Sequence, residues 1–582
     1  MKVWLKEKIG NPELFTGRQK ELSYFLNWIN RIKQELSQST AILSRRKTGK
    51  SALLQRLYNL TFQKNDTVIP FYFEIRETDQ WLLDFSRNFL FTFILQYIAF
   101  KTRKQEYFHY SKTNYSRVLN ALKKEKLDYI SHMIEDAELA DRQEQADSLW
   151  DIARELPRMA AEHTDERVLQ IIDEFQFINR FIFRDKSCKD RIENLAGSYL
   201  HTCEYKNAPM LVAGSWVGWL KRDLLRMLPG RFLFHYLEKL PDDEAVEMIL
   251  KYSLIDNIPV AQDIIPLMAG LAERNPFYIS SLIRSKYQEK DFTSKKGLLA
   301  TLEFETLHRE GSIKGTWMEY VLYALKETND IHAKKIVLYL SRHREREVTR
   351  DEIRDKLNLE ITDSELEKKL KILIHADIIE QGSSNFEYQG VRDNIFDKVF
   401  RGVYQKEIEN FDPEDITREY KILSEKLLKK IRQLRGEYGR YKGAFAEFLI
   451  IHLLRYETCK NNDLFKSALH NLPDDFEFAE YGNIWSYHSP PLHEPEFQVD
   501  VLARAKKDEY ALIWEVKNRK AKFSVKEAEE FLKKSDALKK LEGIEKSLLI
   551  VFSAGGFFKN TLEYLEKNNI AWTENKMWLK RK

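Results

Sequence analysis

A short apolar run, Thr40-Ala41-Ile42-Leu43, leads into Ser44-Arg45-Arg46-Lys47-Thr48-Gly49-Lys50-Ser51 and then into the helix-forming Ala52-Leu53-Leu54-Gln55-Arg56-Leu57. Strand, tight loop and helix in that order aim backbone N–H groups and the positive end of a helix dipole at one point, which suits a phosphate. A strand buried on both faces belongs to a parallel sheet covered by helices. Lys50 is expected at the β- and γ-phosphates of a nucleotide, and the Ser51 hydroxyl on Mg²⁺. Such loops begin with glycine, whereas this one begins with Ser44, so reduced backbone freedom is expected there.

Three further strand-like runs follow, Val68–Ile75, Val168–Ile172 and Pro209–Ala213. The middle one ends in Asp173-Glu174. Two carboxylates at the end of a buried strand suit ATP chemistry, Asp173 as a Mg²⁺ contact through water and Glu174 as the group polarising an attacking water.

A chain of 582 residues is too long for one core. The fold class expected is α/β and multidomain, beginning with an ATPase core at 1–240 that holds a charged, helical insertion at about 101–165. A helical lid follows at 241–330, then a winged helix at 331–402, a helical connector at 403–435 and a second α/β domain at 436–582. The net charge is only +4, so nucleic-acid contacts must come from local patches. The three cysteines form no CxxC pair, which supports neither a disulfide framework nor a zinc site and fits a reducing compartment. The most apolar helix-like run, Phe89 to Phe100, is about half of what a bilayer crossing needs. No signal peptide is evident, so a cytoplasmic protein with no membrane partner is expected.

The winged-helix expectation rests on an apolar helix face at Ile336, Val337 and Leu340. Two capping boxes follow, Thr349 to Glu352 and Thr362 to Glu365, and then a hairpin turning at Gly382-Ser383-Ser384-Asn385. Its third helix, Glu365 to Lys371, mixes acids with lysines, and Glu345 and Glu347 dilute Arg342, Arg344 and Arg346. DNA binding and a protein-contact role both stay open for it.

Near the C-terminus, Phe497 to Ala503 and Tyr510 to Lys517 read as paired strands around a Lys506-Lys507-Asp508-Glu509 turn. Strand periodicity places Glu515 and Lys517 on one face, and the hairpin sets Asp500 beside them. Two carboxylates can hold Mg²⁺ while a lysine positions water for attack on phosphorus. Glu447 is an acid within an otherwise apolar helix, costly unless it has a partner. Lys517 to Lys522 adds a basic patch suited to a phosphate backbone.

Residues 11–285 resemble the archaeal-type ATPases of the AAA+/STAND assemblage. The resemblance rests on Leu14 to Leu22, the arginine-containing loop Ser44 to Ser51, Asp173 to Gln176, Ala213-Gly214-Ser215, Gly230-Arg231 and Asn275-Pro276-Phe277. It implies ATP and Mg²⁺ as ligands. It further implies Arg18 near the adenine, Ser215 as a nucleotide sensor, and Arg231 as either a catalytic finger acting in trans or a surface ion-pair residue. In the first case a homo-oligomer completes the site.

Residues 436–582 are similar to the PD-(D/E)XK, or restriction-endonuclease-like, superfamily, with Glu447, Asp500, Glu515 and Lys517 on its four signature positions. Glu447, Asp500 and Glu515 are then metal ligands. The two resemblances together imply an ATPase coupled to Mg²⁺-dependent DNA cleavage, with RNA open as a substrate, as in defence or mobile-element processing. A nucleotide-switched signalling or scaffold protein with a binding-only C-terminal domain is the competing reading. A transcription regulator acting through the winged helix is the third.

Overall fold

The computed structural model describes residues 4–109, 113–214, 217–325, 331–384, 386–391, 393–408, 414–490, 495–507 and 510–580. The chain divides into two compact units, Met1–Leu427 and Leu428–Lys582.

The first unit is built on a five-stranded sheet in the order Val68–Glu74, Arg167–Asp173, Met210–Gly214, Thr40–Leu43, Leu233–Tyr236. Every neighbouring pair is parallel. The first four strands match the sequence reading to within a residue or two. The fifth escaped it because its burial is poor at both ends: Leu233 and Tyr236 are exposed, so the run lacks a continuous apolar signature. Thr40–Leu43 lies between two parallel partners, and all four of its residues are buried. Its loop therefore emerges from an interior strand of the sheet, one in from the edge strand Leu233–Tyr236.

The insertion after Val68–Glu74 begins earlier than expected, with helix Leu82–Thr102. Phe89, Leu90, Phe93, Ile94, Tyr97 and Ile98 are buried along it. Among the described residues no helix is long and apolar enough to cross a membrane. Five helices follow the last strand, from Asp242–Ile255 to Ser312–Leu325. In one of them, Pro276–Ile283, Pro276 takes the first helical position while Asn275 caps Phe277 N at 2.9 Å.

Helices Ile331–Arg342, Arg350–Leu357 and Asp363–His375 then surround a small antiparallel sheet of Val348–Thr349, Ile379–Gln381 and Glu387–Gly390. The Thr362–Glu365 capping box forms in full. The Thr349–Glu352 box does not. Thr349 accepts from Glu352 N at 3.2 Å, but the Glu352 carboxylate turns instead to Tyr339 and Arg346, because a charged partner outcompetes a backbone amide. Asn385 of the expected turn lies outside the described residues.

One helix, Glu414–Tyr456, runs through the expected connector boundary at 435. In the second unit its final turns pack Ala446, Ile450, Leu453 and Leu454 on a five-stranded sheet. The strand order is Tyr481–His488, Gln498–Ala505, Tyr510–Lys517, Lys546–Ser553, Ile570–Thr573. The first two pairings are antiparallel and the last two parallel. Leu512, Trp514 and Val516 face the long helix, while Ala511 and Ile513 face helices Val525–Glu542 and Lys559–Lys567. Asp508 and Glu509 lie outside the described residues.

Candidate functional site

In the first unit the phosphate loop closes on itself. The hydroxyls of Ser44 and Thr48 lie 2.5 Å apart, and Thr48 Oγ1 donates to the Arg45 carbonyl at 3.0 Å. Lys50 Nζ donates to the carbonyls of Ser44 and Arg45 at 3.1 and 3.2 Å. The left-handed positions are Lys47, at φ 64°, and Gly49, at φ 90°. Ser44 is not one of them. The expectation of lost freedom at Ser44 is therefore corrected: the loop needs glycine at 49, and the Ser44 hydroxyl braces its other end. Burial lowers the Lys50 pKa, against the pull of Glu174 and Asp173.

Asp173 is fully buried and accepts from the Tyr72 hydroxyl at 3.1 Å. Burial first, and then the Glu174 charge, pushes its pKa up to about 6, although the Ser51 hydroxyl bonds to it and pulls the other way. Glu174 sits at φ 54°, an outlier for a non-glycine residue of the kind that collects at functional sites. Gln176 Nε2 donates to its Oε2 at 2.5 Å. Lys47, Gly49, Lys50, Ser51 and Glu174 line a cavity of about 350 Å³ together with Lys8, Arg46, Glu74 and Glu77. Sequence reading missed Lys8 and Glu74, which are joined at 2.5 Å, because nothing local marks two distant charges as partners.

A second cavity, about 650 Å³, lies beside Arg45 and Thr48, between Leu237–Pro241, Arg274-Asn275 and the Glu380–Asp393 region. Arg45 points into the wall behind it. Its guanidinium stacks on Trp317 and Phe396 at 5.4 and 5.2 Å and reaches Asp393. Arg46 pairs with Glu77 at 3.2 Å and lies over Tyr320. Arg18 donates to the carbonyls of Thr48 and Glu238 at 2.9 and 2.6 Å. It is buried under the loop, and both carbonyls it holds belong to residues that line this second cavity. Arg231 lies next to the first residue of Leu233–Tyr236, at the opposite strand end from the loop, and pairs with Glu204 at 2.9 Å. Within one chain it does not join the phosphate cavity. Ser215 lies outside the described residues.

In the second unit, Lys517 Nζ donates to Glu515 Oε1 at 2.5 Å and lies 3.7 Å from Asp500 Oδ2. The same Asp500 oxygen accepts from Val516 N at 2.7 Å. Asp500 owes its aim to an irregularity unseen in the sequence. Tyr487 pairs with Val499 and Trp485 with Leu502, so Asp500 and Val501 together oppose Ser486 alone and the strand bulges there. Bulges re-aim side chains in this way beside active sites. Glu447 joins from the long helix. Burial, Asp500 and Glu515 push its pKa up to about 7, with Lys517 opposing. Burial and Asp500 likewise raise Glu515. Burial would lower Lys517, but Glu515 and Asp500 hold it above its usual value.

Three acids against one lysine leave a local excess of negative charge. Glu515 Oε2 is buried with no hydrogen-bond partner, the mark of a site suited to a cation. Among the described residues, however, no three carboxylate, histidine or cysteine side chains stand in ligating arrangement. Lys517 contacts Glu515 through Oε1, and Oε2 is the oxygen left without a partner.

No family model matches the chain, and no curated protein matches it. Solved structures do. The Walker-type ATPase of Pyrococcus abyssi aligns at 17% identity and TM-score 0.44, over 66% of this chain and 96% of the other. The Aeropyrum pernix ORC2 protein in its ADP form aligns at 12% and 0.37, over 73% and 98%. The Aeropyrum pernix ORC1 protein in complex with DNA aligns at 11% and 0.34, over 70% and 97%. At these identities and scores, function has to be argued from the chain's own residues.

Proposed function

We propose that the chain is an ATP-binding and ATP-hydrolysing protein of AAA+ type whose second unit is a metal-dependent nuclease of restriction-endonuclease-like fold. For the first activity the support is the loop from Ser44 to Ser51, opened at Gly49 and set against buried Asp173. Lys50 and the loop amides bind the phosphates, Ser51 and Asp173 hold Mg²⁺, and Glu174 orients the attacking water.

The observation that carries the second activity is the contact of Lys517 with Glu515 and Asp500 beside an unpartnered Glu515 Oε2, with Glu447 close enough for its charge to couple to all three. Asp500, Glu515 and Glu447 would hold a divalent ion. Such an ion supplies charge stabilisation to a phosphoryl oxygen and an activated water. Lys517 orients the scissile phosphate, and Val516 N fixes Asp500. DNA is the substrate argued for, with RNA tested beside it.

The binding-only reading is favoured by one observation, that among the described residues no three carboxylate, histidine or cysteine side chains stand in ligating arrangement. Supercoiled plasmid incubated with purified protein and Mg²⁺, with and without ATP, separates the two. Cutting that is lost in Lys517→Ala while ATP hydrolysis persists supports the nuclease. Plasmid and single-stranded circular DNA both left intact under every nucleotide and metal condition overturn it.

A further inference from the structure

The long helix carries a surface that the folded core does not use. Its stretch 429–445 is largely exposed around the whole circumference. Tyr438, Tyr441, Phe445 and Phe448 are 70, 76, 60 and 57% exposed, and their spacing of three and four residues puts them on one face. Isolated exposed apolar residues mean little, but a contiguous stripe of rings marks a binding surface.

The same stretch is strongly basic. Between 429 and 442 stand Lys429, Lys430, Arg432, Arg435, Arg440 and Lys442 against a single acid, Glu437. Among the described residues none of these six cations is ion-paired, whereas exposed arginines elsewhere find carboxylates, as Arg519 does with Glu527. Helical spacing sets Arg432, Gly436, Arg440, Gly443 and Glu447 along one face. A Cβ built at either glycine meets nothing within 4 Å, so that face is bare backbone flanked by cations and ends at a carboxylate of the cluster. Asn518, next to Lys517, donates to the Lys442 carbonyl at 3.2 Å and ties the helix to the same site.

Two occupants fit a ring stripe, a second copy of the helix or a nucleic-acid strand. Charge decides between them. Two copies would set like-charged segments side by side, which is unfavourable. A polyanion neutralises the cations, and its bases have flat faces for the rings.

We propose that this helix is a binding platform for a single strand of nucleic acid, with bases stacked on Tyr438, Tyr441 and Phe445 and phosphates held by Arg432, Arg440 and Lys442, leading that strand to Glu447. This deepens the nuclease reading and rests on it for the direction of the track, but binding needs no cleavage. The platform selects strands with unpaired bases, because rings cannot stack on bases inside a duplex.

Fluorescence anisotropy of labelled single-stranded DNA, single-stranded RNA and blunt duplex DNA, all in EDTA with the full chain, tests it. Wild type is expected to bind both single strands at least tenfold more tightly than duplex. Tyr438→Ala with Tyr441→Ala should weaken single-strand binding by about tenfold or more per ring and leave duplex binding unchanged. Arg432→Gln with Arg440→Gln and Lys442→Gln should flatten the salt slope by about two. Circular dichroism confirms that each variant stays folded. Single-strand affinity unchanged in both variants, or equal loss for duplex and strand in the ring variant, overturns the platform. So does a wild-type dimer that the ring variant turns into a monomer in sedimentation. Failed cutting with intact strand binding would sink the nuclease reading alone. Cutting that needs Lys517 in a protein whose helix variants bind normally would sink the platform alone.

Discussion

The guanidinium of Arg45 meets the carboxylate of Asp393 at 3.4 Å, joining the phosphate loop to the segment that follows the wing. Asp393 also accepts from the Tyr278 hydroxyl at 2.8 Å and from Phe396 N at 2.8 Å, so it caps helix Asn394–Ile408 while holding the loop. Trp317 Nε1 donates in turn to the Tyr278 hydroxyl at 2.9 Å. Asp393→Ala strands a largely buried arginine and removes a cap. A loss of about 3–5 kcal/mol is expected from the broken pair, read by chemical denaturation. Nucleotide affinity should fall with it. Arg45→Ala in the same background should cost much less than it does alone, and fully additive losses would show that the two residues do not communicate.

Glu244 binds the backbone amides of Arg18 and Gln19 at 2.7 and 3.0 Å, clasping the start of helix Gln19–Ile32 from helix Asp242–Ile255. Gly17 lies under that carboxylate at φ 73°, and a Cβ there would sit 2.6 Å from Glu244 Oε2. Gly17→Ala therefore both strains the backbone and expels the clasp. It should destabilise the first unit by about 1–3 kcal/mol. Glu244→Gln, which keeps the shape and loses the charge, should cost less. Thermal melts that rank the two variants the other way would refute this order.

The raised pKa of Glu447 has a defined sign. Its ordinary value is 4.5 and its folded value about 7. Protonated Glu447 is favoured by the fold, so its stabilising contribution is complete below about 4.5 and is lost as pH rises through 7. In EDTA at pH 8, Glu447→Gln should be more stable than wild type by about 1–2 kcal/mol, a figure discounted for partial exposure. At pH 4 the two should melt alike. Asp173, raised to about 6, weakens the first unit in the same direction between its ordinary 3.8 and 6.

The phosphate loop was legible because its signal is local. An apolar run, a Gly-Lys-Ser triplet and a helix lie within eighteen residues, and period and spacing report such neighbours directly. The carboxylate–lysine hairpin was legible for the same reason, through the alternation of Glu515 and Lys517. What escaped were features made by distant chain segments. The bulge that turns Asp500 arises from pairing with Tyr481–His488, a strand with polar residues on both faces. The hold of Arg18 on the Thr48 and Glu238 carbonyls is likewise invisible in its sequence neighbourhood. That the connector and the Glu447 helix are one continuous element is also hidden, since Gly436, Gly439 and Gly443 are weak helix formers. Helix Glu414–Tyr456 holds them all the same.

Lys517 supplies the most direct test of whether the acids share an ion. Its ammonium now neutralises Glu515 and Asp500 at 2.5 and 3.7 Å. Lys517→Ala leaves Glu447, Asp500 and Glu515 facing one another with Glu515 largely buried. Like charges confined there without a counter-ion are costly, so in EDTA the variant should melt below wild type. Divalent metal should restore it, and the upward shift on adding Mg²⁺ or Mn²⁺ should exceed that of wild type, since the ion no longer competes with the ammonium. At a metal concentration one hundred times the dissociation constant the gain is about 2.7 kcal/mol. Asp500→Ala added to Lys517→Ala should remove that gain, because too few carboxylates remain to bind. If metal shifts neither protein, the three acids do not converge on an ion, and the cluster is an ion pair that ties the second and third strands of the sheet together.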